Sequence, residues 1–197
     1  MSEVFITDGL KGISARVDTK NRLSTKAVTF TSSLSASMEG DQYNVSSAAF
    51  PVLTDDAETP LMYLLNDETD KTDWAITEIT IIAAASTDGV DDWSVKFFRN
   101  PTAGTIITAG ADAVITNLDV GSNAPLSAMA KVGATGLTLS GGSSLSRLVP
   151  AAPANLSIPL DAVIMGPGEA IGVAVIPPTG NSSMKMDVAV SIIRLTE

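Results

Sequence analysis

The side chains of this chain that could do chemistry are mostly carboxylates, and one group of them is close together in sequence. Residues 66–73 read Asn-Asp-Glu-Thr-Asp-Lys-Thr-Asp, which is similar to a calcium-binding loop. The spacing fails the requirements of an EF-hand, because Lys71 stands where the tight turn needs glycine and Thr77 where a bidentate glutamate belongs. The sequence therefore predicts a solvated turn without a metal ion, and the acidic stretch 88–92 is interpreted in the same way.

A glycine-rich segment at residues 166–172 is similar to a dinucleotide-binding fingerprint. Its glycine spacing is one residue too long, and the residues that follow favour a strand. A glycine-rich phosphate cradle requires the N-terminus of a helix behind it. The segment is therefore predicted to be a tight turn between two strands, with no cofactor.

Pairs of carboxylates could also catalyse glycoside hydrolysis. The candidates lie in predicted turns or alternate out of predicted strands; they are Asp55, Asp56, Glu58, Glu78 and Glu169. Sugar-binding clefts use aromatic surface, and this chain has only two tryptophans and two tyrosines. Trp74 and Trp93 both begin predicted strands, which favours packing in the core.

The chain contains no histidine and no cysteine. Histidine is the usual general base near neutral pH and the commonest metal ligand, so triads of the Ser-His-Asp kind and the usual zinc sites are excluded. Disulfides and thiol nucleophiles are excluded as well. We therefore expect a protein that is not an enzyme and that needs no cofactor and no metal.

The formal net charge is −10 and the estimated pI is 4.3. An acidic surface repels phosphate backbones, so no nucleic-acid partner is expected, whereas a partner with a basic patch is favoured. No apolar run approaches the roughly 20 residues of a membrane helix. The first residues lack the pattern of a signal peptide, so we expect synthesis in the cytoplasm and no membrane partner.

Short segments of alternating or continuous apolar residues recur along most of the chain and are separated by glycine, proline and acidic turns. The clearest are Trp74 to Ile82 and Met184 to Leu195. In the first of these, alternation predicts one face with Trp74, Ile76, Glu78 and Thr80 and an opposite face with Ala75, Thr77, Ile79 and Ile81. Residues 105–108 are predicted to be a further strand, and 122–132 fits either a short helix or a strand. Residues 141–144 are predicted to be a flexible turn. The pattern predicts an all-β fold, an antiparallel, jelly-roll-like β-sandwich over residues 26–197.

Residues 1–25 are predicted to form an extended N-terminal arm with one short strand, because their apolar residues follow neither a strand nor a helix period. Their charge is slightly positive on an otherwise acidic chain. We expect the arm to dock on a neighbour, although a first strand folded onto its own sheet is the alternative. The residues expected at the contact are the apolar Val4, Ile6, Leu10 and Val17, with Arg16 and Arg22 pairing to carboxylates.

Several segments together resemble small virion proteins of tailed bacteriophages. One is a V-D-x-x-x-R-L pattern that begins at Val17, ahead of the first predicted strand. The others are residues 61–66 with 74–77, 99–107, and 166–173 with 177–181. The resemblance is to capsid decoration (cement) proteins, and it implies a non-enzymatic β-sandwich on the outer capsid surface of a virion, made in the cytoplasm of a bacterial host.

The same resemblance implies the major capsid protein as the partner and a homotrimer as the assembled form. Hydrophobic residues make up 45% of the chain and the mean hydropathy is +0.27, which is high for an acidic monomer and also favours self-association. Head-fibre, tail and receptor-binding modules can have similar sequences. A carbohydrate-active protein is a further alternative, and it would need two carboxylates facing one cleft.

Overall fold

The computed structural model describes residues 5–7, 14–17, 23–24, 39–47, 58–84, 92–149, 154–177 and 185–195. The chain divides into two compact units, residues 1–32 and 33–197. The first unit contains three short strands, β1 (Phe5–Thr7), β2 (Ser14–Val17) and β3 (Leu23–Ser24), paired in order as an antiparallel sheet. The sequence predicted only one strand in this region.

The second unit contains two antiparallel sheets. Six strands form the first, in the spatial order β11, β7, β13, β5, β10, β8. Every neighbouring pair in this sheet is antiparallel. Its strands are β5 (Thr59–Asn66), β7 (Trp93–Arg99), β8 (Ala111–Asp112), β10 (Ala128–Val132), β11 (Ser143–Val149) and β13 (Ala170–Ile176).

Five strands form the second sheet, in the spatial order β12, β6, β14, β4, β9. Its strands are β4 (Gln42–Ser46), β6 (Asp73–Ala84), β9 (Val114–Asn117), β12 (Ala154–Met165) and β14 (Lys185–Leu195). From β4 to β7, and again from β11 to β14, successive strands alternate between the two sheets. The predicted all-β sandwich is confirmed.

The main core lies between the two sheets, where both contribute buried aliphatic and aromatic side chains. Trp74 and Trp93 are the largest of them, and each is at most 1% exposed. The prediction that both tryptophans pack in the core is confirmed. Strand β14 shows why the sequence pattern was informative, because every second residue from Met186 to Ile192 is buried.

A smaller core lies on the outer face of the six-stranded sheet. It is covered by helix α1 (Thr105–Ala109), whose Ile106 is fully buried beside Phe98 and Leu139. The predicted strand at 105–108 is therefore wrong. The ambiguous stretch at 122–132 ends in strand β10, as one of its two interpretations required. In the described part of the chain, no helix is long and apolar enough to cross a membrane.

Strand β6 differs from its predicted two-face pattern, which placed Trp74 and Ile81 on opposite faces. In the structure both side chains are buried in the main core. The pairing with β14 shifts at Thr77, because Ser191 faces Glu78 while Ile192 faces Ile76. One extra residue in a strand reverses the facing of all residues beyond it. A β-bulge at Thr77 therefore brings both halves of β6 into the core.

Asp187 on β14 gives this sandwich a pH-dependent stability. Its carboxylate accepts a hydrogen bond from the hydroxyl of the buried Ser47. Burial raises the pKa of Asp187, although a hydrogen bond from the Val188 backbone acts in the opposite direction. A carboxyl group with a raised pKa binds more protons in the folded than in the unfolded state. Its contribution to stability therefore falls as the pH rises through the window between the ordinary and the raised pKa.

We expect Asp187→Asn to raise the melting temperature relative to the wild type at pH 7. The asparagine oxygen still accepts from Ser47, and the partly buried charge is removed. The difference should narrow as the pH is lowered through the raised pKa of Asp187, because the wild-type carboxyl then becomes neutral in the folded protein. Thermal unfolding at several pH values measures it. Asp67→Asn, at an exposed position, controls for the loss of one negative charge. If the higher melting temperature of Asp187→Asn did not depend on pH, the raised pKa of Asp187 could not be its cause.

Candidate functional site

An apolar groove lies along one edge of the sandwich. Strands β11 and β12 are the last strands of their respective sheets on this side, and the groove runs between them. Its volume is about 630 Å³. We call it the edge groove. Its apolar lining comes from both sheets and includes Ile76, Ile79, Phe97, Leu145, Ile158, Leu160, Val163, Ile164 and Ile171.

An irregularity in β12 lies beside the groove. Pro159 faces Glu78 on β6, but the next paired residue, Val163, faces Ile76. Three residues of β12 therefore stand opposite one residue of β6. Proline lacks the amide proton of a ladder hydrogen bond and is tolerated on edge strands and at bulges. The extra length of β12 places Leu160 and Val163 along the lining of the groove.

The rim of the groove carries apolar side chains that face solvent. Leu145 on β11 is 71% exposed, and Val163 and Ile164 on β12 are 43% and 48% exposed. Within the described strands, β11 pairs with β7 alone and β12 with β6 alone, so each has an outer side that no described strand covers. Exposed aliphatic residues on such an edge favour contact with another protein surface.

The polar lining of the groove is small and contains one charged group among its described residues, Arg99. The Arg99 side chain is 76% exposed, and its Nη2 lies 4.0 Å from a carboxylate oxygen of Glu169. Ser143 and Ser144 supply the hydroxyl groups. A guanidinium beside an apolar lining can bind an aliphatic group that has a carboxylate next to it.

The acidic loop at 66–73 has a structural explanation. Asn66 is fully buried at its start, and its side-chain amide donates to the carbonyls of Thr72 and Met165 at 3.0 and 2.9 Å. Asp70 accepts from the Thr72 backbone at 3.2 Å, and the Thr72 hydrogen bonds hold the pKa of Asp70 below its ordinary value. Within the described residues, no three acidic side chains are grouped as metal ligands.

The glycine-rich segment forms the predicted turn. The Glu169 amide donates to the Gly166 carbonyl at 3.0 Å, and strand β13 begins at the next residue. Gly168 has φ of +80°, a conformation that favours glycine. No helix follows the turn, so the dinucleotide interpretation is excluded by the structure as well as by the spacing.

The structure gives three of the five candidate catalytic carboxylates separate partners. Glu58 forms a 2.9 Å ion pair with Lys96, Glu78 accepts from Ser157, and Glu169 accepts from the Gly166 amide at 2.9 Å. Asp55 and Asp56 lie outside the described residues. Of the acidic stretch 88–92, only residue 92 is described.

The residues predicted at the arm contact fall in the first unit. Ile6 lies in β1, and Arg16 and Val17 lie in β2. In the backbone register Ile6 faces Ala15 and Val17 faces Leu23. Val4, Leu10 and Arg22 lie outside the described residues. The contact of the arm with a neighbour therefore stays a prediction.

Sequence reasoning did not identify the edge groove. Residues 141–144 were interpreted as a flexible turn, whereas β11 begins at Ser143 and forms one wall of the groove. One available signal was Pro159 within an apolar segment, since proline there is typical of an edge strand. No local signal showed that the edge strands of the two sheets would lie next to each other and form a groove.

No family model matches the chain, and no curated protein matches it. One similar solved structure is the crystal structure of Israel acute paralysis virus. The two chains are 9% identical, and the match covers 99% of this chain and 93% of the other with a TM-score of 0.25. Two others are native virions of Kashmir bee virus at acidic and at neutral pH. Each covers 98% of this chain and 88% of the other, at 10% and 11% identity and TM-scores of 0.20 and 0.21. Likeness at this level carries no argument about function.

Proposed function

We propose that the chain is a structural virion protein that decorates and stabilises the capsid of a tailed bacteriophage, without enzymatic activity. The observation that carries the proposal is the edge groove, where aliphatic side chains of both edge strands are exposed. This surface suits protein–protein contact. The phage assignment rests on the sequence segments that resemble decoration proteins.

A sandwich of this kind suits a role as cement. Its two sheets enclose one continuous core, so the domain can bridge neighbouring subunits of a shell as a rigid body. A decoration protein is repeated many times on the shell. Repetition makes weak individual contacts collectively strong, because each bound copy raises the effective concentration of the linked ones.

The proposed partners are the major capsid protein and further copies of this chain, with a trimer as the assembled form on the outer surface. We assign the contact with the shell to the arm at residues 1–25. Its apolar residues, such as Val4 and Leu10, would bury against the shell, and Arg16 and Arg22 would pair with carboxylates there.

Deletion of residues 2–23 tests this function. We expect the truncated protein to keep the circular-dichroism spectrum and melting temperature of the sandwich, but to lose at least tenfold in affinity for the shell. The measurement is co-sedimentation with empty capsid shells from the phage that encodes the chain. A truncated protein that unfolds, or one that binds shells as well as the full chain does, would contradict the role of the arm.

The full-length protein provides the test of location. Electron cryomicroscopy of virions incubated with an excess of the protein should show added density at regular positions on the outer shell. Density on tails or head fibres instead would contradict the decoration role and favour the alternative of a tail or receptor-binding module.

A further inference from the structure

A second exposed apolar feature lies on the edge of the sandwich opposite the edge groove. Strands β9 and β8 are the last strands of their sheets on that side, whereas β12 and β11 are the last on the groove side. The turn at residues 118–121 follows β9. Val120 at its tip is fully exposed, and Leu118 and Val114 are 40% and 46% exposed. We call this feature the edge turn.

The edge turn is held by side-chain and backbone hydrogen bonds, although its tip is apolar. The Asn117 amide donates to the Gly40 carbonyl at 2.8 Å, and Asn117 accepts from the Asp119 amide at 2.9 Å. Asp119 in turn accepts from the Gly121 amide at 2.9 Å. Gly40 has φ of +77°, and a Cβ there would lie only 2.5 Å from the Ser122 hydroxyl. Because the turn is ordered before any contact, binding through it costs little conformational entropy.

We propose that the edge turn of one copy of this chain inserts into the edge groove of a second copy. Val120 would enter the apolar groove, and Asp119 beside it would face Arg99. The two surfaces complement each other in shape, since one projects and the other is concave, and in charge, since an acidic side chain flanks Val120 and a guanidinium lines the groove. The inference rests on the self-association in the proposed function and names the contact that produces it.

The contact joins two different surfaces, so it is heterologous. Such contacts close into a ring when the rotation between copies allows it, and extend into a filament when it does not. A trimer is the ring that the proposed function requires. The contact also explains why a chain with a net charge of −10 keeps apolar residues exposed at both edges of its sandwich.

Two single substitutions test the contact. Val120→Lys places a charge in the apolar groove, and Arg99→Glu places an anion against Asp119. We expect each to weaken self-association at least tenfold, measured by sedimentation velocity and native mass spectrometry. Neither side chain lies in the core, so circular dichroism should stay unchanged.

Matched controls separate the contact from a general charge effect. Lys185→Glu changes the net charge as Arg99→Glu does, and Leu195→Lys replaces an exposed aliphatic residue as Val120→Lys does; neither position belongs to the groove or the turn. Both controls should assemble like the wild type. A wild type that stays monomeric, or single variants that assemble normally, would overturn the contact. Shell binding by the single variants is measured in a separate experiment. If the contact between copies is disproved, the decoration role can therefore still be tested through shell binding.

Discussion

Replacing Trp74 with alanine should lower the free energy of unfolding by about 3–5 kcal/mol, the usual cost of removing a large aromatic side chain from a core. Trp74 is fully buried between the two sheets. The indole ring contributes the most buried apolar surface that a single side chain can supply, and alanine would leave a cavity that the flanking strands cannot close. Urea unfolding followed by the fluorescence of Trp93 measures the loss.

Trp74→Phe should cost much less, below about 2 kcal/mol, because two effects oppose each other. The smaller ring leaves some space, but it also removes the indole N–H, which has no hydrogen-bond partner among the described residues. An unpaired buried donor costs about 1–3 kcal/mol by itself. The Trp93 indole N–H is unpaired in the same way, so Trp93→Phe serves as the parallel variant. Equal losses for phenylalanine and alanine at Trp74 would contradict this explanation.

Strand β14 could be predicted almost to its ends because its alternation continues without interruption and one of its faces packs on the core. Strand β6 could be located equally well, but its faces could not be assigned throughout. The bulge at Thr77 depends on the register with β14, and a register between distant strands has no signature in the sequence of either one. The local pattern therefore predicted the position of β6, whereas its pairing with β14 determines which of its side chains face the core.

Helix α1 shows tertiary context acting against local preference. Its sequence, Thr-Ile-Ile-Thr-Ala, is rich in β-branched residues and predicts a strand. The chain enters it through Gly104, with φ of +135°, where a Cβ would lie 2.3 Å from the Thr138 carbonyl oxygen. Burial of Ile106 against the outer face of the sheet outweighs the propensity, which differs by less than about 1 kcal/mol per residue.

The candidate site was the least predictable part of the molecule. The edge groove arises where β11 and β12 terminate their sheets on the same side, which only the order of all strands determines. The edge turn contains Leu118 and Val120, and the sequence alone could not tell whether they face solvent. Composition did predict a surplus of apolar residues. In the structure, many of the exposed ones lie at two opposite edges of the sandwich.

Breaking the ion pair of Asp41 and Arg194 should cause the second large loss of stability. Asp41 is buried, and its carboxylate accepts hydrogen bonds from Nε and Nη2 of Arg194 at 2.9 and 2.6 Å. Replacing Arg194 with methionine leaves this carboxylate without its guanidinium. We expect a loss of about 2–3 kcal/mol, below the figure of about 3–5 for a fully buried pair, because the Arg194 side chain keeps 21% of its surface exposed.

A double-mutant cycle separates the pair from the loss of each side chain. Asp41→Asn, Arg194→Met and the combined variant are compared by urea unfolding. The combined loss should be smaller than the sum of the single losses by about 1–2 kcal/mol, as is usual for groups in direct contact. The more exposed pair of Lys96 and Glu58 is the control, with an expected coupling below about 1 kcal/mol. Strict additivity at Asp41 and Arg194 would show that the pair has no net coupling.

Arg194 also connects the core to the edge turn. Its Nη1 donates to the Pro125 carbonyl at 3.2 Å, and its guanidinium lies 5.8 Å from the centre of the Tyr43 ring. The Tyr43 hydroxyl donates to the Ala124 carbonyl at 3.3 Å, so both side chains hold the backbone that leaves the turn. Arg194→Met should therefore loosen residues 118–125 and weaken self-association in addition to lowering stability. Lys185→Met, at the opposite end of β14, removes one positive charge in the same way and should leave assembly unchanged. Equal assembly by both variants would show that the turn is held without Arg194.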